Sequence, residues 1–183
     1  MAGDFPRPCL HRRIYMHTRN MIIAIGSALT LVATQAYANN ISAQSFVTKA
    51  SIANQFEIET SELALKKAQS SKVKSFAQRM VTDHSKTGDK LKEVLNNSES
   101  KIAVADGLDD KHQALLDKLA ATSEEAFDNQ YIAIQTDAHK EAVSLFSKYA
   151  KNGKHQALKQ FATETLPTLK EHLEHVKQIN ANH

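Results

Sequence analysis

The scarcity of helix-breaking residues is the feature that most limits what this chain can fold into. From residue 39 onward the sequence contains three glycines (Gly88, Gly107 and Gly153) and one proline (Pro167). No segment shows the strict alternation of apolar and polar residues that marks a half-buried strand. Alanine, leucine, lysine, glutamate and glutamine dominate instead, and all five favour helices. The sequence therefore predicts an all-α fold built from long helices.

Local signals divide this region into four long helices and one short helix. Asp109 suits the N-cap of the short helix, and Thr122 with Glu125 has the spacing of a capping box. Residues 152–153 (Asn-Gly) supply a helix stop, and Pro167 should kink the last helix or begin a fresh segment. The predicted helices span 42–69, 72–97, 110–121, 123–151 and 155–180.

The lengths of the connections predict how the long helices pair. Two tight turns give two helical hairpins, and a long connection near 98–122, which contains the short helix, joins them. A bundle with one long crossover is the ferritin-like arrangement, whereas an up-down-up-down bundle needs only short loops. We expect a ferritin-like antiparallel four-helix bundle whose crossover links the second long helix to the third.

Residues 1–38 have the pattern of a secretory signal peptide. Residues 21–34 form an uncharged apolar run, which four arginines precede and the small-x-small site at 36–38 follows. That order is typical of a cleaved leader, and the run is shorter than the ~20 residues of a membrane-spanning helix. We expect cleavage after Ala38 and a periplasmic mature protein.

The remaining residues, 39–183, are expected to form one ferritin-like domain. Residues 1–15 are an unusually long basic preamble, which favours a misassigned start, with Met16 or Met21 as the true one. Cys9 is the chain's only cysteine and lies within the leader. The mature domain therefore contains no disulfide, and its stability has to come from a packed core.

The charge of the chain changes once the leader is removed. The leader holds four of the 23 basic residues and one of the 20 acidic residues, which leaves 19 of each in the mature domain. Nucleic-acid and anionic-membrane partners favour strongly basic proteins. We therefore expect no nucleic-acid partner and no stable membrane insertion after cleavage, and the sequence leaves small-ligand and protein partners and the oligomeric state open.

Several segments resemble a known bacterial family, domain of unknown function 4142. They include "FAQRMVTDHSKTGDKL", "DAHKEAVSLF" and "LKQFATETLPTLKEHLE", and the resemblance extends over about 44–178. The Asp-His pair and the Leu-Pro-x-Leu-x-x-His-Leu motif are its most specific parts. Members of the family are exported and ferritin-like, and are often labelled outer membrane proteins. The resemblance implies the same fold and export here, and it implies no activity because the family has none established.

Helical spacing places four titratable side chains on or near the inner faces of the long helices. Glu57 and His84 lie at the centres of their faces, whereas His139 and His172 lie beside theirs. Measured from a turn at residues 70–71, Glu57 and His84 are both 13 residues away, so we expect them to be level neighbours. His139 and His172 differ by about six residues in height, or roughly 9 Å of helical rise.

One carboxylate and three histidines, one from each long helix, predict a site for a single transition-metal ion. Imidazole suits Zn, Cu, Fe and Ni, and Asp83 or Asp137 could orient a ligand histidine from behind. The alternative is a buried Glu57–His84 contact that fixes helix register without any ion. Di-iron enzymes carry Glu-x-x-His on two helices, and this sequence has no such motif. We therefore expect neither a di-iron centre nor enzymatic activity.

Two functional hypotheses follow. The first is a binding or structural protein of the cell envelope, associated with stress, whose buried polar residues set helix register. The second is a metal-binding or metal-sensing protein that uses Glu57, His84, His139 and His172. The sequence leaves the identity of the metal or other ligand open.

Overall fold

The computed structural model describes residue 1, residues 41–98 and residues 101–181. These residues form five α-helices and no strand, so the predicted all-α class is confirmed. The predicted signal peptide, apart from residue 1, lies outside the described part of the chain. None of the described helices combines the length and the hydropathy that a membrane span requires. The helices are α1 (Ala43–Lys67), α2 (Ser71–Asn97), α3 (Asp110–Ala120), α4 (Glu124–Asn152) and α5 (Gln156–Ala181).

The helix starts follow capping chemistry, with one correction to the sequence prediction. Asp109 caps α3 as predicted, because its carboxylate accepts the backbone N–H of His112 at 2.9 Å. The predicted capping box at Thr122 is wrong. The N-cap of α4 is Ser123, and the Thr122 hydroxyl instead donates to the carbonyl of Lys118, at the end of α3, at 2.9 Å.

The helix ends also depend on specific contacts. The predicted stop at 152–153 is confirmed, since α4 ends at Asn152. Gly153 is needed there for space: a Cβ would lie 2.6 Å from the carbonyl oxygen of Tyr149 and 2.7 Å from its ring. Helix α5 runs without a break through Pro167, so no fresh segment begins there. Leu166 and Leu169 on either side of the proline pack into the core, which offsets the lost backbone hydrogen bond.

The four long helices pack in a ring. Helix α1 contacts α2 and α4, α5 contacts the same two helices, and α3 lies across α1 and α4. The core has two apolar clusters, and along α2, α4 and α5 the boundary between them falls at a histidine. A layer of buried polar side chains therefore separates two apolar halves: Glu57, His84, His139 and His172.

A carboxylate from α4 closes the turn between α1 and α2. Asp128 is 5% exposed, and its two oxygens accept the backbone N–H groups of Gln69 at 3.1 Å and Ser70 at 2.7 Å. The Ser70 side chain, at the N-cap of α2, makes no capping bond of its own. Asp128 therefore takes over the capping role from a different helix and joins the two hairpins at this end.

We predict that Asp128→Ala destabilises the protein by about 2–3 kcal/mol, because two backbone N–H groups lose a charged acceptor. Urea unfolding followed by circular dichroism measures this change. Asp137→Ala is the matched control, since Asp137 lies on the same helix with a side chain that is 75% exposed and pairs only with nearby Lys140 among the described residues. Its effect should stay within about 0.5 kcal/mol. Equal effects of the two substitutions would contradict the capping role.

Candidate metal centre

Three histidines from three helices meet in the polar layer. The ring centroids of His84 and His139 are 5.7 Å apart, those of His84 and His172 are 5.6 Å apart, and those of His139 and His172 are 5.4 Å apart. One ring nitrogen from each histidine lies within 4.8 Å of the corresponding atoms of the other two. The three rings thus form a nearly equilateral triangle inside the bundle.

His84 is held by α1, although not by the residue that the sequence predicted. Its Nδ1 lies 3.1 Å from Oδ1 of Asn54, which acts as the acceptor. The predicted Glu57–His84 pair is therefore wrong. The turn between α1 and α2 is centred on Gln69 rather than on residues 70–71, and Asn54 and His84 are each 15 residues from that centre. The level partner of His84 consequently moves one helical turn along α1, from Glu57 to Asn54.

His139 is held from within its own helix. Its Nδ1 donates to the carbonyl oxygen of Gln135, four residues earlier, at 2.9 Å. Oε1 of Glu57 lies 3.4 Å from the same nitrogen. Burial raises the pKa of Glu57, and the neighbouring His139 opposes that rise only in part. Glu57 therefore lies behind His139, against its outer nitrogen, instead of among the three facing rings.

His172 is held by a carboxylate on α2. Its Nε2 donates to Oδ2 of Asp83 at 2.9 Å. The same oxygen accepts from Nε of Arg79 at 3.3 Å, and the guanidinium also contacts Glu171 at 3.1 Å. This chain of contacts connects the buried ring to the surface of the α2–α5 pair.

The outer hydrogen bonds determine which nitrogens face the centre. The partners of the three histidines are the oxygens of Asn54, Gln135 and Asp83, and an oxygen without a proton accepts only from an N–H. The opposite ring nitrogens then carry lone pairs. These atoms are buried, and they have no hydrogen-bond partner among the described residues: Nε2 of His84, Nε2 of His139 and Nδ1 of His172.

Burial also favours the uncharged form of two of the rings, those of His84 and His172. It lowers the pKa of His84 well below the usual range, and neighbouring His139 and His172 lower it further. Burial lowers the pKa of His172 to about 4, although the hydrogen bond to Asp83 acts in the opposite direction. For Asp83 itself burial raises the pKa, but the hydrogen bonds from His172 and Arg79 prevail and leave it lowered. Neutral imidazole is the form that binds metals.

The second hairpin brings its two histidines closer than the sequence predicted. The turn between α4 and α5 is centred on residue 154, so His139 and His172 differ in height by three residues rather than six. Three residues correspond to about 4.5 Å of rise, which two side chains can span. Both rings are also fully buried instead of lying beside the core face. The buried face of α4 is broad enough to include Gln135, His139 and Phe146, because the helix packs against both α1 and α5.

The two predicted orienting carboxylates behave differently. Asp83 contacts His172, as described above, whereas Asp137 points to solvent and pairs with Lys140 at 3.0 Å. Sequence reasoning also missed Asn54 and Gly88. A Cβ at position 88 would lie 3.0 Å from Nδ2 of Asn54, so the glycine leaves room for the amide that holds His84. Gly88 lies one turn after His84, inside a helix whose conformation does not require a glycine. A glycine at that spacing was the sequence signal that a neighbouring group approaches closely there.

Comparison with solved structures supports the helical fold. One similar structure is CopM in the Cu(II)-bound form, with a TM-score of 0.66 and 21% sequence identity. The alignment covers 78% of this chain and 98% of the CopM chain. At this level of identity the likeness shows the fold alone.

Comparison with protein families confirms the resemblance seen in the sequence. No curated protein matches the chain. The family model described as Domain of unknown function (DUF4142) matches residues 28–179, which cover the histidine layer and all but the last residues of α5. The chain therefore belongs to the DUF4142 family.

Proposed function

We propose that the protein binds one transition-metal ion through His84, His139 and His172. The observation that supports this best is the set of three buried ring nitrogens that face one another without a hydrogen-bond partner among the described residues. A tetrahedral ion with ligands at about 2.0–2.1 Å would need nitrogens about 3.4 Å apart. The ring nitrogens, which lie within 4.8 Å of one another, would therefore approach by up to about 1.4 Å, and Glu57 would orient His139 instead of binding the ion.

Copper is the first metal to test. Three neutral imidazoles suit Cu, Zn, Fe and Ni, and Cu²⁺ binds nitrogen sites most tightly among the first-row divalent ions. The fold likeness to a protein solved in a Cu(II)-bound form supports the same choice. The function is binding or sensing without catalytic turnover, as expected from a sequence without the di-iron motif.

The cellular location and the helix topology that we propose are those that the sequence predicts. The protein is exported to the periplasm after cleavage at Ala38 and acts there as a metal-binding protein of the envelope. The scaffold is a ferritin-like bundle with the 98–123 connection as its crossover. The packing of α1 on α4 and of α2 on α5 supports that topology.

A structural or stress-associated role without metal is the second candidate, and a separate observation favours it. Other buried polar groups are paired across helices: the Ser61 and Tyr131 hydroxyls lie 2.8 Å apart, and Gln135 donates to Thr60 at 3.1 Å. Such contacts can set helix register without an ion. The two candidates differ in whether the three histidines bind a metal.

We predict that the mature protein binds one Cu²⁺ per chain, and that His84→Ala, His139→Ala and His172→Ala each weaken binding by at least about 100-fold, beyond the loss typical of an outer residue. Each substitution removes one of three ligands. Competition titration with a copper chelator measures the affinity, and elemental analysis measures the stoichiometry.

His175→Ala is the matched control for this titration. His175 lies one turn after His172 on α5, but its ring contacts Phe76 at 5.3 Å and is not part of the histidine triangle. It should keep wild-type affinity. If all four variants bind copper like the wild type, the proposed site is wrong and the structural role is favoured.

We predict that Cu²⁺ at a free concentration 100 times its dissociation constant stabilises the protein by about 2.7 kcal/mol, because the ion binds only the folded chain. For a domain of this size the melting temperature should rise by roughly 8 °C. Differential scanning calorimetry with the ion and with a chelator measures the shift. Identical melting temperatures under both conditions, at concentrations that saturate the wild type, would favour the structural role.

We predict that Asp83→Ala weakens copper binding by about 10–100-fold, because a ligand histidine loses the acceptor that fixes its ring. Chelator competition measures the affinity, and the electron paramagnetic resonance spectrum of bound Cu²⁺ reports the changed ring. Asp137→Ala, two residues from His139 but solvent-facing, should change neither. An unaltered spectrum and affinity in Asp83→Ala would show that this contact does not tune the site.

A further inference from the structure

A cavity of about 600 Å³ opens between α1 and α2 and ends at the histidine layer. Its inner wall contains His84, Asn54 and Glu57, and its outer wall contains the exposed side chains of Gln55 and Ser85. Two further depressions on the described surface border none of the three histidines: one lies between α1 and α4, and the other lies on α2 and α5. The α1–α2 cavity therefore leads from solvent to the triangle of rings.

We propose that this cavity is the route by which the metal ion reaches the site, and that His84 is the ligand that meets the ion first. This inference rests on the metal function proposed above. The three inner nitrogens are enclosed by protein atoms. An ion that arrives from solvent thus has to displace a side chain, and His84 is the histidine that borders the open space.

The tethers of the three histidines differ in a way that supports this role. His139 is fully buried and bonds to its own helix backbone. His172 bonds at 2.9 Å to Asp83, a carboxylate, and charge-assisted bonds are roughly twice as strong as neutral ones. His84 bonds at 3.1 Å to the neutral amide of Asn54. His84 can therefore turn towards the cavity at the lowest cost, while the other two rings stay in place.

The charges along the cavity favour a cation. Asp89 and Asp106 lie at its exposed end together with Lys92, and Glu57 lies at its inner end. Oε2 of Glu57 is buried and has no hydrogen-bond partner among the described residues. The residue as a whole is only 3% exposed. At the exposed end two carboxylates against one ammonium give the entrance a net negative charge, which raises the local concentration of cations.

Part of the crossover covers the cavity. Residues 104–107 contribute to its wall, and the backbone N–H of Ala105 donates to Oγ of Ser51 on α1 at 2.9 Å. Gly107 has a φ of 83°, which lets this segment turn back towards α3. The Ala105–Ser51 contact, together with the Gln44 amide that donates to the carbonyl of Ala103 at 3.1 Å, holds the cover over the route, and weakening the Ser51 contact should open the route.

Stopped-flow uptake of Co²⁺ by the mature chain tests the route, because bound Co²⁺ is visible by absorption. Thr87 lines the cavity and is half-buried. Thr87→Trp should slow Co²⁺ uptake by about tenfold or more, because the larger side chain obstructs the passage. The fraction of protein that holds Co²⁺ at equilibrium should not change. Thr165→Trp is the matched control: both threonines are half-buried and donate to the carbonyl four residues earlier, but Thr165 does not line the cavity. Ser51→Ala should speed uptake.

The outcomes distinguish a wrong entry route from a wrong metal site. Uptake by Thr87→Trp at the wild-type rate, or equal slowing in Thr165→Trp, overturns the route while leaving the metal site intact. If circular dichroism shows that Thr87→Trp is unfolded, Ser51→Ala decides, and uptake no faster than the wild type overturns the route. A wild-type protein that binds no Co²⁺ and no Cu²⁺ overturns both the route and the proposed function.

Discussion

Three buried lone pairs that face one another are the constraint on which the rest of this structure depends. Each histidine turns its N–H outward to an oxygen of Asn54, Gln135 or Asp83, so no ring is left to donate inward. An unpaired buried acceptor costs about 1–3 kcal/mol. A layer that served only helix register would gain stability by pairing the rings with one another. The arrangement is one that the proposed central cation would stabilise, with the outer oxygens fixing each ring from behind.

The same layer shows what could be predicted from the sequence. The long helices follow from helix-favouring composition and three glycines, and the central position of His84 follows from its spacing with Met80 and Leu91. The pairing of Glu57 with His84 failed because the turn is centred 1.5 residues earlier than expected. In an antiparallel hairpin that shift moves the partner by three residues. Local sequence signals locate a helix end only to within one or two residues, which is too coarse to choose between Asn54 and Glu57.

The inward position of His139 and His172 could not be derived from one helix at a time. A helix that packs against two neighbours has a buried face wider than a single stripe, and only the packing of α4 between α1 and α5 shows where its centre lies. The two apolar clusters on either side then fix the height of the layer. Large rings such as Phe76 and Phe146 fill the space above and below, and the histidines occupy the remaining level.

In the proposed metal site, charge balance accounts for the two carboxylates that accompany the three histidines. A divalent ion bound by neutral imidazoles would bring a charge of +2 into an environment of low dielectric constant, which is costly without compensation. Glu57 contacts His139 from behind and Asp83 contacts His172 from behind, and their ionised forms together carry −2. His84 has a neutral partner in Asn54. The two carboxylates lie behind the two histidines that are fully enclosed, and the neutral amide holds the histidine that borders the cavity. The distribution of acidic groups therefore matches the proposed division between fixed and movable ligands.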